Sequence, residues 1–465
     1  MDAPIGTKAV IAGFCLAIIS GCASIDFEQS LATTNQVAKE FTGGKLALTI
    51  NKEQRAATDK IAAEILSKPV EQLDAVRLAL AISPALQALL AQHWADATIA
   101  AQGGRISNPV FTFERLRLAD ELELGRLLSF GLLDLISLPQ RNRLTQAQIG
   151  QQQLRLTMSV VEHVTQVRQA WVKAVAAQQI LRYAKQVKES AEASAELAQR
   201  MQAVGNFNKL QRARQQIFYA DATNQLTNAQ HANVSAREAL VRLLGLNDSQ
   251  AETLNLPDRL PDLPTMPVSP EQLAKLAITE RIDVQIAKAE FDASALAQGA
   301  NVVSSFTDVE LGIRHDSVTD KATGTSGTRR GFEANIRLPI FDWGDLKRDA
   351  MNAQTLAAAN RLDATMREAN SNLRDSYSAY RSAFDVSKHY RDEVVPLHKL
   401  IAEENVLRYN GMLIGVFELL ADARDGVASV IAAIDAEQQF WLSNAALKAA
   451  LLGLPSSSNQ TRITP

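Results

Sequence analysis

Cysteine is almost missing from the 465 residues: Cys15 and Cys22 are the only two, and both lie within the first 22 positions. A disulfide framework is therefore excluded for everything that follows. Aromatic residues make up only 5% of the chain, and a net charge of -3 provides no clustered cations to displace phosphate counterions, so nucleic acid is not expected as a partner. The six histidines, His93, His163, His231, His315, His389 and His398, are dispersed without metal-ligand spacing, and no glycine-rich phosphate loop follows a strand pattern. With no convergent site, neither an enzyme nor a cofactor is expected. Proline is absent from residues 144–204, which hold a single glycine, Gly150.

What is present begins with a leader. One positive charge, Lys8, precedes an apolar run over residues 9–19, shorter than the roughly 20 residues of a membrane helix but fitting the core of a secretory signal. The run ends in Ile19, Ser20, Gly21 and Cys22. This resembles the bacterial lipoprotein signal, which implies cleavage before Cys22, acylation of that cysteine and, because Ala23 rather than Asp follows, release to the outer membrane. A plain signal peptide, or a cytosolic N-terminus with incidental cysteines, is the other reading of the same run. Residues 1–21 are read as the signal and 22–70 as a lipidated N-terminal segment. With Cys15 removed and Cys22 acylated, packing alone holds the mature chain together.

Beyond the leader the chain is a repeat. "EQL" at Glu71 recurs at Glu271, "ISLP" ending at Pro139 recurs as "IRLP" ending at Pro339, and "LLGL" at Leu243 recurs at Leu451. Three matches in one order at nearly one offset indicate an internal duplication. The first copy is read as 71–247 and the second as 271–455, joined by a proline-rich linker over 248–270, with a tail over 456–465. Each copy runs through a modest helix, two short strands, a very long helix, a glycine and another long helix. A continuous helix over 144–204 would be roughly 90 Å long. Its apolar residues Val160, Val164, Val167, Trp171 and Ala174 alternate steps of four and three, and the register resumes at Leu181, the spacing of a coiled-coil seam. The second copy shows a similar stripe from Leu362 through Ala369, Tyr377 and Tyr380 to Phe384.

The strand patterns have period two. Phe332, Ala334, Ile336 and Leu338 alternate with Glu333, Asn335 and Arg337 until Pro339, which lacks the amide hydrogen a continuing ladder needs. Pro139 is read as the matching strand exit in the first copy. Val309, Leu311 and Ile313 alternate likewise, and residues 316–330 read as a turn-rich connection. In the first copy Leu128, Phe130 and Leu132 alternate with Ser129 and Gly131, whereas the pattern opened by Phe111 and Phe113 changes parity near Glu114, where a bulge or shifted boundary is expected. Four strands of about ten residues suit an oblique bilayer crossing but cannot close a barrel, so several chains would have to pool them. A small satellite sheet on a soluble helical protein is the other reading.

Together these features resemble the TolC-like outer-membrane factors of the outer membrane efflux protein family, here of the lipoprotein type. The resemblance covers residues 40–455 and rests on the duplicated plan, the "LPIFDWG" strand exit from Leu338 to Gly344, and the helix turns "RMQAVGNFNKL" and "RYNGMLIGVFELLADAR". It implies a mainly α fold with membrane β: long antiparallel coiled-coil helices, and four strands per chain contributing to a trimeric, twelve-stranded barrel above an α-helical periplasmic tunnel. It further implies a homotrimer in outer-membrane lipid that conducts substrate passively, with a periplasmic adaptor protein and an inner-membrane transporter as partners. Trp343 suits the inner headgroup level or packing on the adjoining helix. A coiled-coil envelope lipoprotein with a structural or adaptor role, and no channel, is the alternative; it leaves the strands unexplained.

The resemblance also names a gate. The helix turns fall at Gly205 and Gly411, which with Arg408 and Tyr409 are candidates for adaptor contact. Glu418 aligns with the first acidic gate position of the family, the second falls on Ala421 beside Asp422, and Gln211 holds the matching place in the first copy. Glu418, Gln211 and Asp422 are the gate candidates, with a solvated helix residue as the other reading of Glu418. The transported substrate stays open: some relatives serve heavy-metal export, but seven methionines and scattered histidines do not build a metal relay.

Overall fold

The computed structural model describes residues 26–269, 281–301 and 308–454. The expected signal segment, the anchor Cys22, the helix start at 271–273 and the tail 456–465 lie outside the described residues. Helices α1 (Phe27–Val37), α2 (Lys39–Thr42), α3 (Lys52–Leu66), α4 (Gln72–Ile82) and α5 (Pro84–Gln102) lead into the hairpin of β1 (Val110–Leu118) and β2 (Glu121–Gly131). Two long helices follow, α6 (Leu132–Ala203) and α7 (Lys209–Leu244), and then the short α8 (Asp248–Thr253). The second copy repeats this order with α9 (Ile282–Asn301), the hairpin of β3 (Val309–Asp320) and β4 (Ser326–Ile336), and α10 (Asp345–His389). A π-helical turn (Tyr390–Val394), α11 (Val395–Asn410) and α12 (Val416–Leu451) complete it. The π turn has a local cause: Pro396 has no amide hydrogen for the carbonyl four residues back, so the helix widens just before it.

The described residues cluster into two units. One takes in the residues up to Ser30, Gln92–Arg155 and Val284–Met366, and contains the sheet; the other takes in Leu31–Ala91, Leu156–Asp283 and the residues from Arg367 onward. The sheet is antiparallel in the order β1-β2-β3-β4. Its register is continuous from Val110↔Ser129 to Leu118↔Glu121 in the first hairpin and from Val309↔Ile336 to Thr319↔Ser326 in the second. The expected bulge near Glu114 is therefore absent. The ladder stays in step, and it is the apolar side chains that change face. The connection expected over 316–330 is also mostly strand, because Ser317, Val318 and Thr319 pair with Thr328, Gly327 and Ser326, leaving a turn of five residues.

The proline reading needs a correction. Pro339 lies in the connection after β4, as its missing amide requires, but Pro139 sits inside α6, seven residues past its start. In the first copy the strand ends at Gly131 because the first turns of the helix are clamped. Asp134 accepts from Ser107 and, at 3.0 Å, from Arg141, whose guanidinium also donates to the carbonyls of Gly103 and Arg105. That clamp sets the helix start seven residues before the proline.

In the second unit the α6 stripe is wider than a coiled-coil seam. Val160, Val161, Val164, Val167, Trp171, Val172 and Val175 are all buried, since earlier elements cover this stretch: Trp171 Nε1 donates to the Val70 carbonyl at 2.8 Å, and Thr34 meets Thr157 at 3.3 Å. Only from Ala184 through Val187, Ala191 and Ala198 does the buried set narrow to seam spacing; Leu181 is partly exposed. The matching core of the second copy is Tyr380, Phe384, Phe440 and Leu447 closed by Leu263. Leu263 belongs to the proline-rich linker, which is a strap rather than a free tether: Leu254, Leu256 and Leu260 are also buried, and Trp441 Nε1 donates to the Pro261 carbonyl at 3.0 Å.

Candidate functional site

Strict alternation along four registered strands gives the sheet two different faces. One face carries Phe111, Leu128, Phe130, Val309, Leu311, Ile313, Phe332, Ala334 and Ile336. Most of these side chains lie open, with Phe332 89% exposed, Ile313 67% and Phe111 63%, while Val309 and Leu311 are half-buried. Beyond the strand the apolar tract continues through Leu338, Ile340 and Phe341 to Trp343, all exposed. Covering one large apolar side chain is worth about 1.5–3 kcal/mol, so a surface of this extent calls for lipid or protein against it.

The opposite face holds all seven carboxylates of the strands, namely Glu114, Glu121, Glu123, Glu310, Asp316, Asp320 and Glu333. Arg314 stands among them. It binds Asp316 at 2.9 Å, Glu114 at 3.0 Å and Glu333 at 3.5 Å, thereby tying β1, β3 and β4 together across β2. Gly125 makes this crossing possible: a Cβ there would stand 3.3 Å from both Arg314 Nη2 and Asp316 Oδ1. Arg329 joins Glu123 at 3.3 Å. Its place between Ile313 and His315 puts Arg314 on the polar face by the period of two, but the network is not readable from the sequence, because Glu114 lies 200 positions away. The same ladder leaves β1 and β4 as edges. Two open edges are unstable in lipid unless other strands pair with them, whereas the bare apolar face is unstable in water.

The helix turns lie in the second unit. After α6, Gly205 adopts φ 82°, and the amides of Asn206 and Phe207 donate to the Met201 carbonyl at 2.9 and 3.2 Å. Asn208 then opens α7 with a reciprocal cap in which Gln211 supplies both its amide and its side-chain oxygen. Gln211 thus already has a structural role. In the second copy Gly411 keeps φ -78°, and Met412, at φ 58°, takes the left-handed position. Arg408 and Tyr409 are exposed, and their carbonyls accept from the amides of Leu413 and Met412, each at 2.9 Å. Glu418 is exposed in the first turn of α12, where a carboxylate favours the helix dipole. Asp422 accepts from the side-chain amide of Asn405, joining α12 to α11. The two turn regions are brought together further along, where Arg424 lies 5.2 Å over the Phe218 ring and Val427 packs on the Val187, Ala191 and Ala222 cluster.

Among the described residues no single helix is long and apolar enough to cross a membrane, and no group of three or more His, Cys, Asp or Glu side chains could hold a metal ion. No protein-family model and no curated protein matches the sequence. Solved structures do match its fold. A membrane protein from Pseudomonas aeruginosa aligns with a TM-score of 0.68 at 19% identity, covering 84% of this chain and 93% of its own. The Campylobacter jejuni CmeC outer membrane channel aligns at 0.67 with 15% identity, over 88% of this chain and 89% of that one. CusC, described in connection with transmembrane channel formation, aligns at 0.65 with 15% identity, over 84% and 92%.

Proposed function

We propose that this chain, which has the fold of the TolC-like outer-membrane factors, is the outer-membrane exit duct of a tripartite efflux system. The observation that carries this is the four-stranded sheet with two open edges and one bare apolar face. Three chains pairing β1 of one with β4 of the next would close a barrel, remove the edges and set the apolar face against lipid. The charged face, with its carboxylates around Arg314, would then line a wet lumen. The long helices would form the periplasmic tunnel. Conduction is passive and non-enzymatic, with energy supplied by an inner-membrane transporter joined through a periplasmic adaptor. The adaptor would meet the turns at Gly205 and Gly411, with Arg408 and Tyr409 at the rim. Cys22, once acylated, would anchor each chain to the outer membrane, and mass spectrometry of the mature N-terminal peptide tests it: an unmodified Cys22 removes the anchor.

At the periplasmic end three Glu418 carboxylates would ring the narrowing and attract cations. Asp422, held by Asn405, and Gln211, held in its cap, are less free to do so. The non-channel lipoprotein alternative gives the apolar sheet face no role. Planar-bilayer recording of the purified protein tests the duct: trimeric channels with cation preference, reduced in Glu418→Gln, are expected. A monomer that extracts from membranes once Cys22 is replaced, and gives no conductance, would overturn it.

A further inference from the structure

Toward the hairpin tips the apolar face of the sheet becomes mixed, with arginines entering it beside Phe113, Leu124 and Leu122. In the register that sets Phe332 beside Ile313, the next row on the same face brings Arg330 beside His315 and Arg126 beside Phe113; Arg115 follows one row on and Arg117 after that. Four arginines thus occupy three successive rows, about 14 Å along the strands. Not one carboxylate of the four strands shares their face. Among the described residues none of the four is in an ion pair, in contrast to Arg314 and Arg329 on the opposite face.

Arg115 is a diagonal neighbour of Arg126 and stands two residues from Arg117, separations of about 7–8 Å at which like charges repel, while Arg330 lies two strands from Arg126 across His315, so the cluster calls for an anion from outside the chain. Arginine rather than lysine at all four places favours a multi-oxygen anion that takes two parallel hydrogen bonds from one planar guanidinium, as a phosphate does. The location supplies the source. These rows begin where the wholly apolar band gives way to mixed side chains, the level where hydrocarbon gives way to headgroups in any membrane that covers the band. We infer that Arg115, Arg117, Arg126 and Arg330 form a binding site for a membrane lipid whose headgroup carries phosphate. One phosphate spans one or two guanidiniums, so three rows fit a headgroup with more than one phosphate. The Ser317 and Thr328 hydroxyls, in the same row as Arg115, supply further donors.

This inference rests on the exit-duct reading, which puts the sheet in a membrane. The test uses the full-length protein in phosphatidylcholine vesicles with diphosphorylated lipid A as probe, followed by native mass spectrometry of the detergent-extracted trimer. The wild type is expected to retain the probe about tenfold better than its dephosphorylated form, and R115Q/R117Q/R126Q/R330Q to lose that preference. R115Q/R117Q, confined to the edge strand beyond the apolar band, should show an intermediate loss without threatening the fold. Equal retention by the wild type and either variant, with trimers intact, would overturn the lipid site alone. So would displacement of the probe by an equal concentration of inorganic phosphate, which would assign the cluster to a free anion. Failure of the wild type to form a trimer in these vesicles would overturn the duct reading and the lipid site with it.

Discussion

The two copies of the repeat reverse direction by different means but end their hairpins alike. Gly205 takes the left-handed conformation after α6, whereas after α11 Met412 takes it and Gly411 does not. At the other ends, Gly245 closes α7 at φ 74° and Gly453, just after the α12 cap, sits at φ 104°. The difference lies in the surroundings. A Cβ on Gly245 would stand 2.8 Å from Ser83 Cα and one on Gly453 2.8 Å from the Asp283 amide nitrogen, while around Gly205 nothing comes within 4 Å. Glycine stands in both copies where another backbone presses on it. In an open turn the left-handed position tolerates a side chain at a cost of about 1 kcal/mol, and there the copies differ.

The largest expected effect tests that distinction. Gly245→Ala and Gly453→Ala should each lower stability by about 3 kcal/mol or more, adding backbone overlap to left-handed strain, whereas Gly205→Ala should cost only about 1 kcal/mol. Denaturant unfolding reads all three. Equal losses would mean that crowding does not separate these sites.

The two faces of β4 offer the next contrast. Ile336→Lys, on the last paired row of the apolar face, should cost about 2 kcal/mol in a bilayer, less than at the midplane, and Asn335→Lys on the other face much less. The yield of heat-resistant trimer in vesicles measures this. Matching damage at both positions would reverse or abolish the assigned facing.

A smaller effect comes from the strap. Burial, and then the Asp262 carboxylate, push Glu437 up from its ordinary 4.5 to about 7, with Arg259 and Arg391 opposing. The folded state therefore holds a proton that the unfolded state releases between those values, and stability falls as pH rises from about 4.5 to about 7, then stays at its lower level. Discounted for partial exposure to solvent, Glu437→Gln should gain about 1 kcal/mol at pH 8 and nothing at pH 4. A variant with the same pH slope as the wild type would place the proton elsewhere.

Much of this architecture was legible because its signals are periodic. Period two exposed the β3 and β4 faces, and the absence of breakers over 144–204 announced α6. Where local signals compete with tertiary pairing, the sequence misled: Ser317 and Thr328 have turn-forming composition but pair in a ladder, and the matching "ISLP" and "IRLP" put one proline in a helix and the other in a loop. The clamp that decides this reaches from Asp134 back to Ser107, 27 positions away, and from Arg141 back to Gly103, 38 positions away. The Arg314 network was invisible for the same reason. At the turns, chain reversal was readable from Gly205 and Gly411, but not which residue takes the left-handed place.

That last point yields the smallest effect and the sharpest test of the second turn. Met412 is 93% exposed and carries left-handed strain that no packing offsets, so Met412→Gly should stabilise the protein by about 0.5–1 kcal/mol. Gly411 has an ordinary φ, and the atoms nearest a Cβ there would be the carbonyl oxygens of Leu407 and Arg408, at 3.5 and 3.6 Å, and Leu413 Cγ at 3.7 Å, all ordinary contacts. Gly411→Ala should therefore change stability by less than about 0.5 kcal/mol. Against that flat background any functional change is interpretable. If Gly411→Ala keeps its unfolding midpoint but loses adaptor capture, the glycine matters as a surface that a partner's backbone approaches closely. If capture survives there and fails instead in Met412→Gly, the exposed, strained methionine is the contact, and the strain is a cost the turn bears for its partner.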